Sequence, residues 1–291
     1  MKSSTALTAY LLVSHGSRDV RQAQEMSRLA NMFRKRLLHK ICSDSYDIDT
    51  ESFNRSITAI EKGKPTRVSL MEKRALSHIG RDFYPAVQSN HILSVETAYL
   101  ELAPQPLHER ICQIGYELIS AGIRKLVVVP VFLMAGTHVM EDIPDEVSTA
   151  QTRLGDALTV HICSHLGSHP KMASVLKQRL SSLTTGAALL VAHGSRRQRG
   201  NKAIQQLAQQ LDAPVAYWAV PPDIESQVIL LMQQGYQGIT IMPYFLFAGG
   251  ITDAIAHRTE ELAERFPKIT FRLLPTLGAT EEIADLVVDL I

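Results

Sequence analysis

Three residues far apart in the chain carry groups able to hold a divalent cation or to move a proton. They are His15 in "LLVSHGSRD", Glu101 in "AYLELAPQPL" and His138 in "FLMAGTHVMEDIP". Two imidazoles and a carboxylate suit a borderline divalent cation. The same groups exchange protons near neutral pH. Residue types alone do not choose between the two roles. His15 and Glu101 each end an apolar, strand-like run, and His138 lies in the loop just past another. In an open parallel sheet, ligands bind outside those carboxyl ends.

The runs that must position these groups occur twice. "LLVSHGSRD" at 11–19 returns as "LLVAHGSRR" at 189–197, and "AYLELAPQPL" at 98–107 aligns with "AYWAVPPDIE" at 216–225. "GIRKLVVVPVFLMAGTH" at 122–138 aligns with "GYQGITIMPYFLFAGGI" at 235–251, and "HLGSHPKMASVL" at 165–176 with "TLGATEEIADLV" at 276–287. Four anchors in one order mark a duplicated unit. The copies are not chemically equal. His193 repeats His15, but Ala219 stands in the place of Glu101 and Ile251 in that of His138.

Short apolar runs alternate with helical stripes in each unit, with strands expected near 9–15, 95–102, 126–133 and 158–164, then 187–192, 214–220, 238–246 and 269–274. Val20, Ala23, Met26, Ala30, Phe33 and Leu37 share one helical face, and similar stripes run through Leu107, Ile111, Ile114 and Leu118 and through Ile143, Val147 and Leu154. This alternation predicts an α/β protein of two duplicated, doubly wound domains, each with a parallel four-stranded sheet. The domains are expected at 1–184 and 185–291, joined near Ser181–Gly186. An insertion at about 43–91 has no counterpart in the second unit. It is polar and reads as a surface excursion, with a lid over a cleft as the alternative and one short helix expected over 66–79.

Composition narrows the function classes. A net charge of +1 argues against a general nucleic-acid surface. Cys42, Cys112 and Cys163 form no CxxC pair, which argues against a disulfide framework or a cysteine zinc site. The first residues lack a signal-peptide pattern, and no apolar stretch approaches 18 residues, so no membrane partner and a cytoplasmic location are expected.

The HGSR openings, the "YLELA" strand end, the "PVFLMAGTHVMEDIP" segment and the "LGSHP" loop together resemble the class II tetrapyrrole chelatases, in the long two-domain sirohydrochlorin form. The resemblance covers nearly the whole chain outside 43–91. It implies a metal site of His15, Glu101 and His138 that inserts Co²⁺ or Fe²⁺ into sirohydrochlorin, in siroheme or cobalamin biosynthesis, without an organic cofactor. A monomer by internal duplication is expected, and because His193 stands beside Arg196 and Arg197, the second unit is expected to hold substrate.

Sirohydrochlorin is a polycarboxylate, so cations and N–H donors should surround it. Arg18 in the first unit and His193, Ser195, Arg196 and Arg197 in the second are candidates, as are Ser17 and His169. Ser17 and Ser195 also suit helix N-caps. Asp142 could orient His138 or serve as ordinary first-turn helix chemistry.

Two rival readings use the same residues. A metal or tetrapyrrole carrier would need His15 and His138 only as ligands. A histidine-phosphatase-like enzyme would need an arginine beside its histidine, where this chain has Ser14 and Ala192.

Overall fold

The computed structural model describes residues 8–45, 94–181, 186–197 and 200–291. Strands β1 (Thr8–Ser14), β2 (Val95–Tyr99), β3 (Lys125–Pro130) and β4 (Thr159–Ile162) form one parallel sheet in the order β2-β1-β3-β4. Strands β5 (Ala187–Ala192), β6 (Val215–Tyr217), β7 (Gly238–Pro243) and β8 (Thr270–Leu273) repeat it as β6-β5-β7-β8. The central strands are apolar on both faces, as layers of helix on each side require: Leu11, Leu12, Val13, Val128 and Val129 are fully buried. Edge strands β4 and β8 instead alternate exposed and half-buried residues.

Helices α1 (Val20–Ser45), α2 (Leu107–Ser120), α3 (Ile143–Leu154) and α4 (Met172–Ser181) belong to the first half. The second half has α5 (Lys202–Gln210), α6 (Ile224–Gln233), α7 (Gly250–Arg265) and α8 (Glu281–Asp289). One face of the first sheet packs on α2 and α3 through Ile111, Leu118, Ile143 and Val147. One face of the second packs on α6 and α7 through Val228, Leu231, Ile255 and Leu262. The remaining faces share a single core with α1, α4, α5 and α8, which joins Leu12, Phe33 and Leu176 to Leu190, Ile204 and Ile283. The two sheets are separate, but this core spans both.

The expected face of α1 needs correction at its start. Met26, Ala30, Phe33 and Leu37 are buried together with Leu29, but Val20 and Ala23 are exposed, because the first turn of α1 lies beyond the shared core. The helix also continues to Ser45, into the start of the expected insertion. The rest of that insertion, with its expected helix at 66–79 and its lid reading, lies outside the described residues. Among the described residues no helix is long and apolar enough to cross a membrane.

Polar contacts tie the halves where they meet. Arg21 at the start of α1 donates to both carboxylate oxygens of Asp253 in α7, at 3.0 and 2.6 Å. Arg179 in α4 donates to the carbonyls of Thr276 and Leu277. Lys171 reaches Asp289 at the end of α8, at 2.6 Å. His169 is buried beside that pair, its Nδ1 accepting the Lys171 N–H at 3.1 Å. Burial lowers the pKa of His169 below 6.5, partly offset by Asp289.

The folded state therefore binds this proton less readily than the unfolded chain does. The stability of the neutral ring is complete above about pH 6.5 and is lost as pH falls through the lower folded value. His169→Asn, whose amide oxygen can accept the same N–H, is expected to lessen the drop in Tm between about pH 7 and pH 5. An unchanged slope of Tm against pH would show that His169 is no part of it.

Candidate metal centre

The sheet order reverses between β1 and β3, and the loops after these strands diverge at that crevice. His15 follows β1. Beyond the strand ends, the β1–β2 pairing continues through Leu100 N–H to the Ser14 carbonyl at 2.9 Å and Glu101 N–H to the His15 carbonyl at 2.8 Å. This holds His15 and Glu101 side by side. Gly16 makes it possible: its φ is +98°, and a Cβ there would stand 2.0 Å from the Glu101 carbonyl oxygen.

His138 comes from the third loop, where a π-helical turn, His138–Asp142, leads into α3. Such turns often mark functional positions. This one places Asp142 Oδ2 2.7 Å from His138 Nδ1. The carboxylate takes the Nδ1–H, so Nε2 keeps its lone pair. That Nε2 lies 3.8 Å from Glu101 Oε1, and His15 Nδ1 lies 3.7 Å from Glu101 Oε2. The imidazole rings stand edge to face with centroids 4.7 Å apart.

One ligand atom from each of His15, Glu101 and His138 lies within 4.8 Å of the others. Both carboxylate–imidazole separations exceed hydrogen-bond length. A tetrahedral shell with bonds near 2.1 Å has ligand atoms about 3.4 Å apart, so small side-chain rotations bring the three onto one ion. The His15, Glu101 and His138 side chains are 52%, 49% and 30% exposed. The group is thus open on one side, as a centre that exchanges its metal requires.

Backbone hydrogen bonds fix the correspondence of the second unit. Trp218 and Ala219 N–H donate to Ala192 and His193, as Leu100 and Glu101 do to Ser14 and His15. Tyr244 N–H donates to Val191 as Val131 does to Val13, each at 2.7 Å. Ile251 therefore occupies the His138 position and the buried Ile255 that of Asp142. His193 remains, exposed, with its Nδ1–H donated to the Gly194 carbonyl at 2.9 Å.

The two rims meet. Arg197 Nη1 lies 3.8 Å from Glu141 Oε1 in the π-helical turn, and Tyr244 Oη donates to the Leu133 carbonyl at 3.4 Å. With Arg21–Asp253, the segment after the first strand of each half contacts the segment after the third strand of the other. Arg18, Arg196 and Arg197 are exposed on these loops.

Neither serine is an N-cap. Ser17 Oγ accepts the Asp19 N–H and Ser195 Oγ the Arg197 N–H, each closing a turn two residues long before its helix begins. His169 is buried, its Nε2 3.9 Å from Asp289 Oδ2. A single sequence gives no sign of its burial against α8, or of the Arg197–Glu141 approach, because both depend on how the halves pack.

Asp142 is 43% exposed and adds little to packing. Asp142→Asn is expected to weaken Co²⁺ binding by about 10–100-fold, as loss of such partners generally does, with Tm unchanged. Calorimetric titration of Co²⁺ and a thermal melt check both halves of that expectation.

The CbiX family model matches residues 79–183 and again 187–291. The first match includes Glu101 and His138 but begins after His15. The chain is 23% identical to a sirohydrochlorin ferrochelatase of Priestia megaterium over 182 residues, 58% of this chain and 66% of that protein. It is 29% identical to the chloroplastic sirohydrochlorin ferrochelatase of Arabidopsis thaliana over 111 residues, 35% of this chain and 49% of that protein. These stretches span less than two thirds of either relative's length. Among solved structures, SirB from Bacillus subtilis with Fe³⁺ superposes with a TM-score of 0.64 at 16% identity, covering 97% of this chain and 93% of that one. That likeness concerns the fold.

Proposed function

The chain belongs to the CbiX family, in the long form that carries the family's unit twice, and we propose that it inserts a divalent metal, Co²⁺ or Fe²⁺, into sirohydrochlorin. The observation that carries this reading is the convergence of His15, Glu101 and His138 at one open strand-end rim. The names of the two curated relatives support the substrate.

The reaction exchanges one metal ion for two pyrrole protons. His15, Glu101 and His138 take up the ion from water, with His138 presenting Nε2 because Asp142 holds its Nδ1–H. As the macrocycle nitrogens replace these ligands, the freed imidazoles and carboxylate are placed to accept the departing protons. No organic cofactor enters this scheme.

In the same reading the second half holds substrate. His193, Arg196 and Arg197, with Arg18 from the first half, present donors to the peripheral carboxylates. The exposed Arg197–Glu141 pair is weak enough to yield to a carboxylate. Ser17 and Ser195 can still donate their hydroxyl protons while accepting N–H groups. One chain supplies both rims, which supports a monomer.

The test is anaerobic incubation of sirohydrochlorin with Fe²⁺, Co²⁺ or Ni²⁺, followed by the tetrapyrrole absorbance. Catalysed, saturable insertion with at least one metal is expected. Binding of metal and tetrapyrrole without turnover would leave a carrier instead.

A further inference from the structure

Single exposed apolar side chains are ordinary on a protein surface. Two here are not ordinary in their positions. Leu102, 59% exposed, directly follows Glu101, and Met140, 64% exposed, lies between His138 and Asp142 in the π-helical turn. Both flank metal ligands, and neither is part of the core.

Leu102 carries a second anomaly. Its φ is +54°, in the left-handed region that Gly or Asn holds at lower cost than Leu. Burial cannot account for a leucine there. Backbone held in such a conformation gathers at functional sites, where the surrounding structure imposes it. Met140, directly before Glu141 and Asp142, carries a flexible, polarisable thioether, a group that makes favourable contacts with aromatic rings. In the second half, Trp218 is 40% exposed at the position that matches Leu100.

The proposed substrate is flat and apolar at its centre and carboxylated at its edge. A surface for it needs an apolar rest beside the metal and cations farther out. Leu102 and Met140 stand beside the metal ligands, and Arg18, Arg196 and Arg197 lie on the same facing loops. We infer that Leu102 and Met140 form the apolar rest on which the macrocycle lies while its nitrogens face His15, Glu101 and His138. This rests on the chelatase reading above and specifies which residues select a macrocycle over other polycarboxylates.

The test uses Leu102→Asn and Met140→Gln. Asparagine accepts a positive φ, and glutamine nearly matches methionine in length and helix propensity, so both variants should fold. Trp218 is the chain's one tryptophan, and quenching of its fluorescence reads sirohydrochlorin binding without metal or turnover. Each variant is expected to raise the Kd for sirohydrochlorin about tenfold, the scale of losing one aliphatic contact. Calorimetry should give an unchanged Kd for Co²⁺, and Leu102→Asn should melt at or above the parent.

If the parent binds sirohydrochlorin and both variants bind it within twofold, the apolar rest is wrong and the chelatase reading stands. If Leu102→Asn melts well below the parent, Leu102 is structural and the inference falls. A parent that binds no sirohydrochlorin removes the chelatase reading and this inference together.

Discussion

His15→Ala and His138→Ala are each expected to cut metal insertion by about a hundredfold or more, with the fold intact. A positioned proton acceptor contributes on the order of 10²–10⁴ in rate, and loss of one of three ligands also weakens capture of the ion. The fold survives because the two side chains are 52% and 30% exposed and leave no buried cavity. Glu101→Ala should be nearly as severe, since Glu101 approaches both imidazoles.

His193→Ala should behave differently. Its rim offers Ala219 and Ile251, which neither ligate nor titrate, so the expected effect is a higher KM for the tetrapyrrole with most of kcat kept. Steady-state insertion of Co²⁺ with tetrapyrrole titrated separates the cases. If His193→Ala lost kcat as heavily as His15→Ala at constant KM, the assignment of the second half to substrate holding would be wrong.

Gly16→Ala should damage both stability and activity. At φ +98° any Cβ is strained, and here it would also meet the Glu101 carbonyl oxygen at 2.0 Å. The loop after β1 must then pull away from Glu101, which breaks the hydrogen bond between Glu101 N–H and the His15 carbonyl. A loss of about 2–4 kcal/mol is expected from strain and displacement together. That corresponds to a Tm lowered by roughly 5–12 °C. Insertion should fall with it, because the displaced pair makes up two of the three candidate ligands.

Gly122→Ala is the control. Gly122 has φ +80°, yet nothing lies within 4 Å of a Cβ there, so it reports strain alone. Equal melting temperatures for the two variants would mean that the approach to Glu101 costs nothing.

Much of this arrangement is legible in the sequence, for a physical reason. The apolar cores of β1, β3, β5 and β7 are buried on both faces and so appear as continuous apolar runs, which places the residues that follow them at strand ends. Parallel order then brings His15, Glu101 and His138 to one rim with no further information. The correspondence of Ala219 with Glu101 and of Ile251 with His138 follows from the duplication, and the hydrogen-bond register agrees with it.

What sequence does not carry is set by contacts between halves. His169 reads like a rim histidine because it follows a strand-end loop, yet α8 packs over it. Val20 and Ala23 keep the helical period of α1 but lie past the reach of the shared core. Periodicity describes a face, not the extent of what covers it. The positive φ of Leu102 also escapes a reader of sequence, since leucine is among the residues least expected there.

The reciprocal meeting of the rims has a consequence for how such a site can change over generations. In an assembly of two identical chains, every substitution appears on both sides, so losing a ligand on one rim means losing it on both. Here the shared core keeps the rims opposed while each is encoded separately. A mutation to Ala219 or Ile251 could therefore be fixed without touching Glu101 or His138. The duplicated chain permits a lopsided molecule, with His15, Glu101 and His138 on one rim and His193, Ala219 and Ile251 on the other.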